Sequence, residues 1–164
     1  MIVREALPAE FDRIAELTVA SYRDVHGGEV GGYEAHLRDV ATRASASTVL
    51  VAVLDGTVVG AAAYVPGPGG PMSDFEDADG CGMRMLAVDP DFQHRGAGRA
   101  LAEACMSRGR SDGRARMVLF STGDMRVAHH LYVELGFRRE VERDREIETE
   151  AGPLLLLAFE RSLR

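Results

Sequence analysis

Six residues in the middle of the chain, Gln93-His94-Arg95-Gly96-Ala97-Gly98, have the types and spacing to hold an anion. Glycines at 96 and 98 let the backbone come close to a ligand and turn through positive φ. Arg95 and Arg99 flank the turn with fixed positive charge. The elements on either side decide which anion is held. Upstream, Met83, Met85, Leu86 and Val88 read as a strand, which stops at Asp89-Pro90 because proline offers no N–H to a ladder and fixes its own φ. Downstream, Ala97, Leu101 and Cys105 recur at four-residue spacing and predict a helix from about Ala97 to Arg108. A strand, a glycine turn and a helix in that order aim the unpaired N–H groups of the first helical turn, with their partial positive charge, at the turn itself. The natural guest is a phosphate or pyrophosphate.

Three phosphate-binding arrangements share this layout. A P-loop requires Gly-Lys followed by Ser or Thr, but Gly98 is followed by Arg99 and Ala100, and the chain contains no lysine. A dinucleotide fingerprint requires Gly or Ala where Leu101 stands. The third arrangement is the acyl-coenzyme A site of the GNAT acetyltransferases, whose pattern Gln/Arg-x-x-Gly-x-Gly/Ala is met by residues 93–98 directly after Leu-Ala-Val-Asp-Pro. A second segment, AHHLYVELGF at 128–137, resembles that family's Ala-x-x-Leu-Tyr-x-x-Leu-Gly-Phe run at the expected separation. On these two segments the chain resembles a GNAT N-acetyltransferase over nearly its whole length, read as one domain over residues 1–164.

The totals agree with one globular unit. A chain of 164 residues with 46% hydrophobic residues can bury a core. Acids exceed bases by 26 to 19, a net charge of −7, which disfavours a nucleic-acid partner. Cys81 and Cys105 form neither a metal pattern nor a disulfide framework. The N-terminal MIVREALPAE lacks signal-peptide architecture, and the longest apolar run, Leu154 to Phe159, is too short to span a bilayer. The expectation is a cytoplasmic protein without metal or membrane partner. Abundant Arg and Ala with no Lys or Asn suggest a GC-rich bacterial coding sequence.

In chain order, a first strand lies within Met1–Ala6 and a helix runs from Pro8 or Ala9 to about Tyr22. A second helix is expected from Tyr33 to Ala44. Strands Thr48–Leu54 and Val58–Val65 enclose Asp55-Gly56, a type I′ hairpin signal. Residues 66–80, rich in Pro, Gly and acid, are expected to be a mobile loop that packs no core. Its acids, Asp74, Glu76, Asp77 and Asp79, either attract a cationic amine or merely solvate the loop, and the second reading is preferred. Strands at Gly82–Val88 and Met117–Thr122, a helix at Ala128–Leu135 closed by Gly136, and a last strand at Leu154–Glu160 complete the chain.

The resemblance implies an α/β fold: a mixed, twisted sheet of about seven strands flanked by about four helices, with strands four and five splayed beyond a bulge. It implies acetyl-CoA as cosubstrate, lying in that gap. Backbone groups of Leu86 and Val88 would bond the pantetheine and amides of His94, Arg95, Gly96, Ala97, Gly98 and Arg99 the pyrophosphate, with Ala87 and Gln93 also among the cofactor-binding positions. Met125 and Ala128 would also line the cofactor. The family often has Asn at the position of Met125, and a thioether cannot donate the bond that Asn makes. Affinity is then lower, or Thr122 or Arg126 substitutes. The reaction is attack of a neutral amine on the acetyl thioester, with Tyr132 the candidate general acid. A phenol near pKa about 10 can protonate a thiolate whose acid is near about 8.5. Tyr132 could instead bond the sulfur or simply pack. No base is assigned: Glu76, Asp79, a water chain, His129 and His130 all stay open, though adjacent helical positions cannot both face the site. Tyr22, Tyr33 and Phe75 are candidates for the acceptor cleft and equally for packing. The acceptor amine is unspecified, a homodimer is compatible with folds of this kind, and a non-catalytic acyl-CoA sensor is the rival reading.

Overall fold

The computed structural model describes all residues from Met1 to Arg164. Its strands are β1 (Ile2–Glu5), β2 (Thr48–Leu54), β3 (Thr57–Val65), β4 (Gly80–Val88), β5 (Arg116–Thr122), β6 (Arg138–Arg139), β7 (Arg145–Thr149) and β8 (Gly152–Ser162). Its helices are α1 (Phe11–His26), α2 (Tyr33–Arg38), α3 (Val40–Ala46), α4 (Ala97–Ser111) and α5 (Arg126–Glu134). All strands join one sheet in the order β1-β2-β3-β4-β5-β8-β6, with β7 on the other reach of β8. No helix is long and apolar enough to cross a membrane.

Most local expectations are met for the reasons given. Asp55 and Gly56 both take positive φ, 49° and 79°, as a type I′ turn between β2 and β3 demands. Gly136 at φ 87° closes the last helical segment. The expected second helix is two helices, because Asp39 leaves helical geometry (φ −82°, ψ 67°) and its side chain accepts from the Thr42 N–H at 3.2 Å, capping α3. β7 has no counterpart in the sequence reading. Its Arg-Glu-Ile-Glu-Thr is exposed throughout and carries no apolar alternation, so only its pairing with β8 makes it a strand.

One expectation is overturned. The 66–80 segment does pack a core: Met72 and Phe75 are only 5% and 6% exposed and join a cluster with Val19, Leu37, Val65, Met85 and Val118. The Phe75 ring lies where a Cβ on Gly82 would be, 2.7 Å away, so glycine at 82 admits the ring. Arginines fasten the acids around it. Asp77 pairs with Arg143, Asp79 with Arg116 at 3.3 Å, and Asp74 with Arg84 at 3.6 Å.

The sheet has two differently covered faces. α4 and α5 cover one, with Leu101, Cys105, Tyr132, Phe137 and Phe159 in its largest cluster; α1 to α3 and the 66–80 segment cover the other. β4 and β5 form the parallel pair, joined through the α4 crossover. They match only at Gly80–Arg116, Cys81–Met117 and Gly82–Val118, after which β5 continues along β8 alone as far as Thr122–Leu156. The strands therefore part beyond Gly82. On its other side β4 carries a bulge: Ala63 faces Arg84 while Ala61 faces Ala87, leaving Met85 and Leu86 opposite the single residue Ala62. Met85 sits at φ 52°, a conformation that costs a non-glycine residue about 1–3 kcal/mol.

Candidate active site

The turn after β4 is held from behind. The Asp89 carboxylate accepts from Arg13 Nη2 at 2.5 Å and from the Asp91 N–H at 2.9 Å, while its carbonyl accepts from the Phe92 N–H at 2.8 Å. These bonds shape a single 3₁₀ turn over Pro90–Phe92. The chain then enters the left-handed region at His94 (φ 61°) and again at Gly96 (φ 85°), the kind of alternation from which anion nests are built. Between His94 and Arg99 no backbone N–H has a partner in the chain; Ala100, donating to Gly96 O at 3.0 Å, is the first that does. A Cβ at Gly96 would meet nothing within 4 Å, so the space beside this glycine is open.

The flanking side chains divide their work. Arg95 lies 5.3 Å over the Phe92 ring and has no acidic partner. Arg99 is tied to Glu134 of α5, so its charge is already neutralised and it braces α4 against α5. Gln93 Nε2 donates to Asp24 of α1 at 3.2 Å, which puts the first residue of the hexad to structural use. Gly98 faces α5 across the gap, its Cβ position 3.5 Å from Leu131 Cδ2 and 3.7 Å from Val88 Cγ2.

Where β4 and β5 part, Leu86 and Val88 point to the α4/α5 face and Ala87 to the α1 side. Met85 and Leu86 have no partner residue on β5 and lie in the bulge on β3, so the main chain here is the least paired of β4. The bulge also sends two consecutive side chains, Arg84 and Met85, toward the α1–α3 face. Across the gap, Ser121 of β5 lies 3.0 Å from His129 Nε2 of α5. Burial holds His129 below its ordinary pKa, so it is neutral at pH 7. His130 instead faces solvent and pairs with Glu134 at 3.2 Å. The Ser121–His129 pair was not foreseeable as a pair, since eight residues and a turn separate its members; the histidine alone was visible.

Tyr132 is buried beside Phe159 and Phe137, at ring distances of 5.6 and 5.8 Å, and burial pushes its phenol above the ordinary value. Its hydroxyl makes no hydrogen bond within the chain. The half-buried Tyr22 of α1 lies near enough for an ionised Tyr132 to raise its pKa further. Met125 is the N-cap of α5, with no side-chain cap bond, and Ala128 is half-buried one turn on. Thr122 is engaged, donating to Asp124 Oδ1 at 2.5 Å, whereas Arg126 is exposed and makes no ion pair. Asp124 also meets His26 of α1 at 2.5 Å. The end of α1 thus touches both lips of the gap, at Gln93 and at Asp124.

Of the aromatic candidates, Phe75 is packing, and Tyr33 continues a row of rings from Tyr22 at 6.1 Å to His36 at 5.2 Å. Of the four loop acids, three are tied to arginines and Asp74 is nine-tenths buried, so they do more than solvate the segment, which was the expectation. Both cysteines are buried and unpaired, and burial pushes Cys81 up to about 11 and Cys105 up to about 12.

Comparison with known proteins matches residues 11–137 to the acetyltransferase (GNAT) family. N-acetylaspartate synthetase of Danio rerio is 33% identical over 94 residues, which are 57% of this chain and 30% of that protein. The chain thus spans about a third of that relative's length. Among solved structures, the putative acetyltransferase yncA of Salmonella typhimurium, determined with acetyl-CoA, superposes with a TM-score of 0.73 at 21% identity, covering 100% of this chain and 94% of that one. A ribosomal-protein-alanine N-acetyltransferase of Brucella melitensis gives 0.72 at 20% identity, covering 99% of both chains. At these identities the likeness to the solved structures is one of fold.

Proposed function

Since this chain belongs to the GNAT acetyltransferase family, we propose that it moves the acetyl group of acetyl-CoA to a primary amine by direct attack in a ternary complex. The observation that carries the reading is the run of partnerless amides from His94 to Arg99, opening beside a gap in which Met85 and Leu86 are left unpaired on β5. These residues suit the cosubstrate. Free N–H groups and Arg95 offer donors and charge to a diphosphate, and the gap offers main-chain groups to pantetheine amides. The thioester supplies the activated acyl group.

The chain's own residues then have assignable tasks. An N–H at the bulge, at Leu86 or beside it, is the donor for the charge that develops on the carbonyl oxygen, a contribution of about 3 kcal/mol in comparable sites. Tyr132 donates its proton to the departing thiolate; burial raises its pKa and keeps the phenol protonated, and the proton that the attacking amine loses restores it, so the thiol leaves neutral and the tyrosine is regenerated. The two faces of the sheet serve the two reactants: coenzyme from the α4/α5 side, amine from the α1–α3 side. Holding both near van der Waals contact removes the entropy loss of a bimolecular encounter. The reading takes residues 1–164 as one catalytic domain of a bacterial cytoplasmic enzyme, supported by the lysine-free, arginine-rich composition and two free buried thiols. A homodimer belongs to the same reading and is decided by sedimentation equilibrium.

Titration calorimetry with acetyl-CoA, followed by thiol release over a panel of amines, tests this. Saturable binding with amine-dependent release is expected. Binding without release for any amine would favour the sensor.

A further inference from the structure

A cavity of about 510 Å³ opens on the α1–α3 face beside β5, between the 74–77 segment and Arg143 and Arg145. Its β5 wall is Phe120, two residues past the last β4–β5 pair, and Asp74 ties it to β4 through Arg84. The polar groups around it are unevenly matched. Arg143 is committed to Asp77 and to Glu160 at 2.8 Å. Arg145 has no acidic partner within ion-pair distance and no hydrogen bond; its guanidinium is held 4.8 Å over the Phe120 ring. Asp74 is nine-tenths buried, with side-chain exposure of 9%, yet its Oδ1 has no hydrogen-bond partner. Glu76, on the rim, is also unpaired. One positioned cation and one positioned carboxylate therefore line the same space, and the chain satisfies neither fully.

We propose that this cavity is the acceptor pocket and that the acceptor is a small amine carrying a carboxylate, an amino acid or close analogue, its carboxylate taken by Arg145 and its amine turned toward Asp74. The proposal rests on the acetyl-transfer reading and names the substrate class that reading leaves open. The geometry favours it over other amines. A planar guanidinium stacked on an aromatic ring keeps its N–H fork in one plane, which suits a carboxylate's two oxygens. A simple alkylamine would leave Arg145 unpaired and bring a second cation beside it; a polyamine would bring several. The volume lies within the usual range for small-ligand pockets. A second cavity, about 240 Å³ near Phe11 and Ala44, contains one acid, Glu5, and no cation, and lies away from the gap.

Matched pairs of acceptors test the class. Purified protein with acetyl-CoA is assayed for thiol release against amino acids and the same amino acids with the carboxylate amidated, alongside alkylamines. The acids are expected to exceed their amides at least tenfold in kcat/KM. Arg145→Gln should raise KM for the acid at least tenfold, leave KM for the amide within about twofold, and leave acetyl-CoA affinity unchanged; Arg145→Lys should recover part of the loss. Calorimetry of amino acids on the protein–CoA complex supplies a readout independent of turnover. Equal or better use of amides or alkylamines overturns the proposal, as does an Arg145→Gln enzyme with unchanged KM. So does a protein that binds acetyl-CoA but neither binds nor acetylates any amino acid. Failure to bind acetyl-CoA would instead strike the acetyl-transfer reading itself, and the calorimetric control with the coenzyme alone separates the two failures.

Discussion

The two sides of the site are made of different material. On the proposed coenzyme side the groups on offer are main-chain amides, presented by a turn with positive φ at His94 and Gly96 and left partnerless by the start of α4. On the proposed acceptor side the groups are side chains: Phe120 of β5, Arg145 of β7, and Asp74 from a segment without regular structure, itself held by Arg84 of β4. A backbone site needs only a few glycines at fixed spacing, and it tolerates any side chain that points away. A side-chain site needs several distant stretches brought together, and each substitution rewrites it. The first is suited to a constant ligand, the second to one that differs between relatives.

Glu at position 96 should break the coenzyme side most completely. Gly96 sits at φ 85° with open space around it, so the substitution both strains the turn and projects a carboxylate into the nest. Gly96→Glu is expected to abolish measurable acetyl-CoA binding in calorimetry while leaving far-UV circular dichroism unchanged. Gly98→Glu should do the same, with added crowding against Leu131. Retained micromolar binding in both would mean that the diphosphate does not sit on these amides.

The corresponding blow on the acceptor side is to packing. Phe75→Ala removes a ring buried over Gly82 and should lower stability by about 3 kcal/mol, read as a fall in Tm. Because Asp74 and Glu76 flank this ring, KM for the acceptor should rise more than the Kd for coenzyme. A variant that loses stability with no change in either constant would show that the segment only covers the sheet.

This contrast also explains what was legible in the sequence. The hexad at 93–98, the Asp55-Gly56 hairpin and the apolar strand before Pro90 could be read because each is a local rule written in consecutive residues. The gap between β4 and β5 could be anticipated only through family resemblance, since no residue announces that pairing ends at Gly82 and Val118. The 66–80 segment was misread because its Pro, Gly and acid content hides two anchors, Met72 and Phe75, whose burial depends on Gly82 and on arginines up to 66 residues away. β7 and Arg145 were invisible as site elements for the same reason: an exposed edge strand with one apolar residue, Ile147, has no local signature.

Tyr132→Phe tests the chemistry between the two sides. Turnover is expected to fall by about 100-fold or more, in the range for loss of a general acid, with coenzyme affinity within a few-fold because the ring and its contacts with Phe137 and Phe159 remain. An unchanged rate removes the acid role and leaves Tyr132 as packing.

Acid pH should loosen the Asp77–Arg143 tie on the acceptor side. The Arg143 guanidinium bonded to Asp77 holds that carboxyl below its ordinary value. A depressed folded pKa means that the pair contributes stability above the unfolded pKa, near about 4, and loses it as pH falls through the lower folded value. Asp74 runs the other way: burial raises its pKa, opposed by Arg84 and Arg145, so its ionisation weighs against the fold as pH rises through the raised value. Asp77→Asn should therefore lower stability by about 1 kcal/mol at pH 7, with the difference from wild type closing as pH falls through the depressed value of the paired carboxyl. A gap that persists there would assign the effect to shape rather than charge.

The smallest expected change comes from repairing a departure from the family pattern. Met125 caps α5 without a side-chain bond, at a position where the family often has Asn. Met125→Asn should tighten acetyl-CoA binding a few-fold, about 1 kcal/mol, by adding an N–H donor beside the gap. The same substitution should also raise helix stability by a similar amount, because Asn is among the strongest N-caps and Met is not. The two effects are separable. Met125→Ser supplies the cap but no amide donor and only a short side chain, so it should reproduce the gain in Tm without the gain in affinity. Equal affinity gains from Ser and Asn would mean that ordering the first turn of α5, and not a bond to the coenzyme, is what the methionine lacks. No gain from either would indicate that Arg126, one residue on and without an acidic partner, already fills the role. Arg126→Ala would then weaken binding in the wild-type background and leave Met125→Asn the stronger binder.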